Sequence, residues 1–600
     1  MSGIVGIVNR DGGPIDRELL REMTQSLANR GPDAQEVWLG GAVGFGHTLL
    51  RTTAESNLEK QPVTLEGQVW ITADARVDRR EELIHELQSA GREVSKNSTD
   101  PELILHAYQA WDELCLERLL GDFSFGIWDA RQRRLFCARD HFGVKPFYYS
   151  LVKDTFLFSN TLKCLRLSPA VSGTLNDAAI ADFLLFDDNQ NPATTTFRDI
   201  QRLPAGHFLV CSRQQFRIER YWSLPVEEPI YYKRAGDYVE HFLELLRTTV
   251  RDRLRADRAG VFMSGGLDST ALAAMAQEIG LKTSSSFDLR AYTWVYDWLI
   301  PHDERHYAGL TADALRIPIH FQPLDHYSFY ERWQLPELQP PQPVHTPLGL
   351  AVYYDLFKQI TPHCRVMLYG EGPDNAMHYE WQSYARYLLK TWRWLWLLRD
   401  LWWHARFHRH VPLVGALYHR VRQLGSKSSL RSEPIWIRRE LLDIASREDV
   451  ESQRVHAFRP VAYGCFRPHL WDSLFDGFDP ANTSFPIEVR HPYMDVRMIR
   501  FLLTVPPIPW ARRKFLIRHS FRNVLPDSLL KRNKTPIRED PLLARARIEA
   551  LPEWIPDSSL YRYVDPEVVN TLLRTEPAGL WQNLRPVSLN FYLAANHSGV

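Results

Sequence analysis

Hydrophobic positions in the first 220 residues fall into short runs that switch between two periods. Residues 3–9, 43–50, 68–77 and 123–129 read as strands, whereas Leu19, Leu20, Met23 and Leu27 recur at helical spacing. The mixture predicts an α+β sandwich over residues 1–222. The pattern breaks in the run beginning Trp222-Ser-Leu-Pro-Val-Glu-Glu-Pro, where two prolines and two glutamates interrupt the apolar positions, so residues 223–233 are read as a linker. Residues 234–600 then start a second domain. Phe242, Leu246 and Val250 form one stripe of an amphipathic helix, followed by the short apolar strand Val261-Phe262-Met263, a glycine loop and the helix-forming run Thr270-Ala-Leu-Ala-Ala-Met. Strand, loop and helix in that order predict an α/β domain. No internal repeat interrupts it.

Composition narrows the classes. Hydrophobic residues make up 44% of 600, which suits folded domains and excludes disorder. Lys plus Arg equal Asp plus Glu at 72 each, so no field of one sign draws in nucleic acid. The six cysteines form no CxxC pair and no metal-ligand spacing with histidine, which fits a reducing, cytoplasmic setting. The amino terminus lacks the pattern of a secretory signal, and the most apolar stretch, 388–403, is interrupted by Lys390, Arg393, Arg399 and Asp400. No transmembrane span is expected.

The strongest chemical signal is the junction Met263-Ser264-Gly265-Gly266-Leu267-Asp268-Ser269. Two glycines let backbone approach a ligand closely. The N–H groups and dipole of a helix start suit phosphate oxygens, and two hydroxyls add donors. No Gly-Lys-Ser/Thr follows, so Asp268 is the distinctive charge, and a carboxylate beside phosphates requires a hard cation such as Mg²⁺ between them. The alternative is a tight turn in which Asp268 merely caps the helix.

SGGLDS resembles the pyrophosphate loop of the adenylating family that includes asparagine synthetases, β-lactam synthetases and lasso peptide macrolactam-forming cyclases. Further blocks match in the same order: Asp303-Glu-Arg, Tyr369-Gly-Glu-Gly-Pro-Asp374, Glu488-Val-Arg490-His-Pro-Tyr-Met-Asp495, and Lys514 through Arg532-Asn-Lys534. The resemblance implies an adenine-nucleotide hydrolase-like fold binding ATP and Mg²⁺. By it, Asp268 and Asp374 hold the metal, while Met263, Ser264, Gly265, Gly266, Asp268, Ser269, Gly370 and Lys514 line the nucleotide site. Lys534 steadies the acyl-adenylate, and Glu371 takes a proton from the attacking amine. Each also has a plain alternative: Asp374 as a turn residue after proline, Glu371 as an exposed loop residue, Lys534 as part of a solvated basic face.

Residues 1–222 resemble a glutamine-hydrolysing domain through Ser2-Gly-Ile-Val-Gly-Ile-Val, Arg30-Gly-Pro-Asp33, Leu50-Arg51, Gly121-Asp-Phe-Ser-Phe125 and Arg139-Asp-His-Phe-Gly-Val-Lys-Pro146. That family uses a cysteine at position 2, where this chain has Ser2, and an Asn-Gly-Glu run where it has Ala73-Asp74-Ala75. A hydroxyl is a weaker nucleophile than a thiol, and losing an oxyanion donor costs about 3 kcal/mol. The domain is therefore expected to be inactive as a glutaminase. Arg51 and Asp100 remain where the family grips glutamine, although Asp100, just before Pro101, is also read as a helix N-cap.

Over nearly the whole chain the sequence is similar to lasso peptide isopeptide bond-forming cyclases. The resemblance implies adenylation of an Asp or Glu side chain in a precursor peptide and its capture by that peptide's N-terminal amine. The partners implied are the core peptide, a leader-removing protease and a leader-recognition protein. The rivals are an asparagine or β-lactam synthetase-like ligase acting on a small acid, and an inert scaffold. Residues 384–422 are rich in tryptophan and arginine, and at helical spacing Leu388, Trp392, Leu395 and Trp396 share a face. A buried helix, a peptide or protein docking surface and an interfacial membrane contact all fit that pattern.

Overall fold

In the computed structural model, residues 1–300, 302–409, 433–445, 456–467, 469–532, 539–551, 554–576 and 579–597 are described. Residues 1–222 fold into two antiparallel sheets packed face to face. The first runs Gln201–Arg202, Tyr148–Val152, Thr155–Ser159, Gly3–Asn9, Val43–Leu49, Ala34–Leu39. The second runs Phe216–Arg220, His207–Cys211, Arg134–Arg139, Gly121–Asp129, Val69–Val77, Val63–Thr64. Phe158 on the first sheet lies where a Cβ on Gly6 or Gly126 would collide with its ring, 2.0 Å and 2.4 Å away, so one glycine on each sheet makes room for it. The helix Arg17–Gln25 covers the outside of the first sheet, burying Leu20 and Met23. Arg80–Ser89 and Asp100–Trp111 cover the second through Leu83, Leu87, Leu103 and Ala107.

Asp100 is not the N-cap expected of it. Thr99 caps the helix in a reciprocal capping box with Glu102, which leaves the Asp100 carboxylate to accept from the Val77 backbone N–H and to pair with Arg80 and Arg255.

Residues 222–233 carry neither helix nor strand, and the helix Ala235–Leu254 follows, burying Phe242, Leu246 and Val250. The second domain is organised on a five-stranded parallel sheet ordered Ile319–Pro323, Asp288–Val295, Arg258–Phe262, Val366–Leu368, Glu488–Arg490. Chain order reverses on either side of the central strand Arg258–Phe262, which opens a crevice beyond the carboxyl ends of the strands. The helix Leu267–Thr283 packs on this sheet through small residues, among them Ala271, Ala273 and Ala276, so it lies close to the strand that feeds it. Carboxyl-terminal helices return to the first domain. Trp436, Tyr563 and Leu589 share one core with Leu20, Leu157 and Phe183.

The expectation for residues 388–396 fails. Trp392 adopts a left-handed backbone, φ 58°, which ends one helix at Lys390 and starts another, Trp394–His408, on a new axis. Leu388 is consequently buried, whereas Trp392 is 86% exposed and Leu395 is exposed. Residues 410–422 of that stretch lie outside the described residues.

Candidate active site

The loop after the central strand is shaped by its own hydroxyls and by two neighbours from distant segments. Ser264 Oγ and Ser269 Oγ stand 3.0 Å apart, and Ser264 Oγ accepts from the Gly266 N–H at 3.2 Å. Both backbone groups of Gly265 are engaged: its N–H donates to Glu304 Oε1 at 2.8 Å, and its carbonyl accepts from Arg532 Nη1 at 2.8 Å. A Cβ at Gly265 would meet Tyr307 Cβ at 2.8 Å, which is why a glycine stands there. The Arg532 guanidinium stacks 4.2 Å over the Tyr307 ring, locking the clamp. Glu304 and Arg532 belong to blocks visible in the sequence, yet their task of holding the loop is not visible there.

Gly370 comes from the next strand's carboxyl end and touches the same turn. A Cβ there would sit 3.1 Å and 3.2 Å from Ser269 Cα and N. Glu371 follows and accepts from Asn375 Nδ2 at 3.4 Å. Asp374 lies in the short helix Pro373–Ala376, and the preceding Gly372 has φ 130°. Asp268 does not cap its helix: Gly266 occupies the N-cap position, and the Asp268 carboxylate reaches across to Lys514. The Lys514 ammonium also pairs with Asp374 Oδ1 at 2.6 Å. Burial works to lower the lysine's pKa, but Asp268 and Asp374 outweigh it and hold it above the ordinary value. Arg513 and Lys514 are consecutive non-glycine residues with φ 49° and 54°, a costly backbone that points the lysine at the two carboxylates.

These groups line a cavity of about 1100 Å³ that includes Met263, Ser264, Gly265, Gly266, Asp268, Ser269, Gly370, Glu371, Asp374 and Lys514. Of the residues singled out from sequence, ten converge on this one space. Lys534 lies outside the described residues. Two carboxylates sharing one cation form an all-oxygen donor pair suited to a hard dication, so Asp268 and Asp374 fit Mg²⁺, with the Lys514 ammonium standing where such a charge belongs.

The amino-terminal centre is arranged differently. Ser2 Oγ accepts from the Leu50 N–H at 3.2 Å, and the Ser2 N–H donates to Asp74 Oδ1 at 3.2 Å. Lys145 Nζ lies 3.0 Å from Asp74 Oδ1 and 3.2 Å from Glu488 Oε1, while Arg30 pairs with both Asp74 and Asp479. Glu488 continues to Arg490 at 3.0 Å, and Arg76 joins Asp78 and Asp122. Burial would raise the Asp74 pKa, but Lys145 and Arg30 outweigh it and hold it below the ordinary carboxylate value. Gln61 grips the strand at Ala73, accepting from its N–H at 2.7 Å and donating to its carbonyl at 2.9 Å. Arg51 is turned to Asp33 through its backbone N–H and guanidinium. Ion pairs therefore fill the space beside Ser2 and tie the two domains together. Their members are far apart in sequence, so no local signal announces them.

Comparison with known families fits this two-part architecture. Residues 1–222 match the glutamine amidotransferase domain and residues 241–594 match asparagine synthase. The chain belongs to the asparagine synthase family. Within that family it is similar to glutamine-hydrolysing asparagine synthetase 3 of Bacillus subtilis, 25% identical over 96% of this chain and 94% of the relative. It is also similar to glutamine-hydrolysing asparagine synthetase 2 of Bacillus subtilis, 28% identical over 62% of this chain and 51% of that one. A putative glutamine-hydrolysing asparagine synthetase of Methanocaldococcus jannaschii is 28% identical over 55% of this chain and 65% of its own length. As an asparagine synthase family member the chain is an ATP-dependent amide-forming ligase. Among the described residues no helix is long and apolar enough to cross a membrane.

Proposed function

We propose that this asparagine synthase family member activates an Asp or Glu side chain of a precursor peptide with ATP and closes a macrolactam with that peptide's own N-terminal amine. The observation that carries the reading is the pairing of an open adenylating cavity with an amino-terminal centre whose nucleophile position is a serine enclosed by ion pairs. Such a chain takes its amine from elsewhere, as free ammonia or from the substrate itself, and the peptide's own amine is the source in this reading. A cavity of about 1100 Å³ exceeds the range of roughly 300–1000 Å³ that holds a small ligand, which leaves room for a peptide segment beside a nucleotide.

In this reading a substrate carboxylate oxygen attacks the α-phosphorus of ATP, the bond to the β-phosphate oxygen breaks, and pyrophosphate departs. Mg²⁺, when bound, would neutralise charge on the phosphates. Asp268 and Asp374 would hold it, and Lys514, released from them, would turn to phosphate oxygens. The Ser264 and Ser269 hydroxyls and the loop N–H groups orient the phosphates. The amine then attacks the acyl carbon, its excess proton passes to Glu371, and AMP leaves. An α-amine with a reference pKa of about 7.7–8.0 is partly neutral near neutral pH, so little base strength is needed. Lys534 is assigned to the anionic intermediate by resemblance.

A second reading, amide synthesis on a small acid, is favoured by the end-to-end likeness to asparagine synthetase 3. ATP–pyrophosphate exchange with the full chain separates the two. Exchange that depends on a linear precursor peptide, with loss of one water from that peptide by mass spectrometry, is the expected result. Exchange driven by free aspartate or another small acid, with the peptide inert, would replace it with the second reading.

A further inference from the structure

The helix Trp394–His408 has two unlike faces. Inward, Trp403 and His404 are buried, Trp403 meets Trp510 with ring centroids 6.4 Å apart, and Phe407 meets Phe515 at 5.2 Å. Asp400 is fully buried against the Tyr384 hydroxyl and Arg399. Outward, Trp394, Leu398 and Trp402 recur every four residues as one exposed stripe with Leu395 beside it, and Leu389 and Trp392, on the other side of the helix break, are exposed as well. Scattered exposed apolar residues need no explanation, but six large ones within fourteen residues form a patch.

The exposed charges carried by this segment itself are all basic, and the acid that meets Arg393, Glu228, comes from the linker. Asp400 is the lone acid between residues 381 and 409, and it is turned inward. Arg393 pairs with Glu228 and Arg399 with Asp400, while Arg386, Lys390, Arg406 and Arg409 are exposed around the apolar residues. In a chain whose total charge is zero this local excess is a feature of the patch. Tryptophan and leucine flanked by arginine and lysine on a surface helix match the boundary between acyl chains and anionic headgroups, where indole rings sit at headgroup depth and cations meet phosphate.

We infer that this face docks the protein on an anionic lipid surface, with the helix Trp394–His408 lying in the plane of the interface. The helix would be peripheral, since its inner face stays in the protein core. On its inner side Phe407 meets Phe515, so the docked helix would pack against the segment that carries Lys514.

The test is co-sedimentation of the full chain with vesicles of phosphatidylcholine alone and of phosphatidylcholine mixed with phosphatidylglycerol. Binding to the mixed vesicles, at least about tenfold stronger than to the neutral ones and weakened by salt, is expected. Trp394→Ser, Leu398→Ser and Trp402→Ser combined should lower it by tenfold or more with no change in melting temperature, because all three side chains are exposed. Arg386→Gln, Lys390→Gln and Arg406→Gln should each cost about fivefold. No sedimentation with mixed vesicles, or equal binding by the triple variant, would overturn the inference. So would a parent dimer that the triple variant converts to monomer without any vesicle affinity, since the patch would then be a protein interface.

Discussion

The two centres of this asparagine synthase family member are built from the same parts. Lys145 bridges Asp74 and Glu488, and Lys514 bridges Asp268 and Asp374. They differ in what surrounds the bridge. Around Lys145 the carboxylates have further cations, Arg30 on Asp74 and Arg490 on Glu488, and every member is buried. Around Lys514 the Asp374 side chain is 44% exposed and the whole group faces a cavity of about 1100 Å³. A closed network of this kind adds registry between domains. An open one can exchange its internal cation for an external one. Proximity of charges alone does not distinguish a structural centre from a chemical one, whereas room to exchange a partner does.

Removing one carboxylate of the open centre should have the largest effect. Asp268→Ala should depress ATP–pyrophosphate exchange by 10³-fold or more, since a cation at transferring phosphates is worth several kcal/mol, while leaving the melting temperature within a few degrees. Exchange retained within tenfold would mean that the Lys514 centre is as structural as the Lys145 one.

The converse substitution belongs to the closed centre. Lys145→Met removes the cation that Asp74 and Glu488 share, leaving Arg30 and Arg490 on them, and should cost at most about 3–5 kcal/mol, read as a lower denaturation midpoint with an unchanged slope. A variant as stable as the parent would show the network to be dispensable.

Acid should weaken both halves of the molecule, since burial also lowers His345, His456 and His491 in the second domain. Burial pushes His47, which contacts the Ala73 carbonyl and Gln61 beside Asp74, down to about 4, and His141 likewise to about 4. A histidine with a depressed folded-state pKa is neutral in the fold and protonated in the unfolded chain between about 4 and 6.5. Its stabilisation is complete above 6.5 and is lost as pH falls toward 4, on the order of 2–3 kcal/mol for each. Urea midpoints measured across that window should fall, and His47→Gln should flatten the fall. A parent midpoint that is flat over the window would contradict the burial argument.

What sequence conveyed follows from range. The glycine turn, the helix after it and the alternating strands are local patterns, and the structure shows them nearly where the periodicities put them, with the apolar strand starting at Arg258 rather than Val261. Asp100 was misread because Thr99 and Glu102 form a better cap, a competition between neighbours that a proline signal alone does not decide. Trp392 was misread because spacing assumes an unbroken axis and its left-handed backbone supplies a break. The Glu304 and Arg532 clamp and the Lys145 network join residues between 39 and 343 positions apart, distances over which one sequence carries no pairing signal. Lys534 is legible as part of a motif and lies outside the described residues.

A smaller effect tests how closely the open centre is fitted. Gly370→Ala places a methyl 3.1 Å from Ser269 Cα, and because the obstacle is backbone the turn itself must shift. Overpacking of this degree costs about 1–3 kcal/mol, so exchange should fall by ten- to a hundredfold. Unchanged exchange would indicate that the loop has slack there, and that Gly370 is conserved in form without being needed for contact.

The smallest effect is the most discriminating. Ser2→Cys supplies the thiol that this chain lacks and that the glutaminases it resembles use, so if the hydroxyl were the sole defect glutamate release should appear. The surroundings argue otherwise. Asp74 holds the Ser2 N–H and is itself held by Lys145 and Arg30, while Gln61 occupies the backbone N–H of Ala73. A negative charge fixed beside the nucleophile opposes the oxyanion that must develop there. Glutamate release from the Ser2→Cys variant should therefore stay at background with ATP–pyrophosphate exchange unchanged. Release well above background would mean that the amino-terminal centre is closed only by one oxygen atom, and the contrast between the two lysine bridges would lose its chemical meaning.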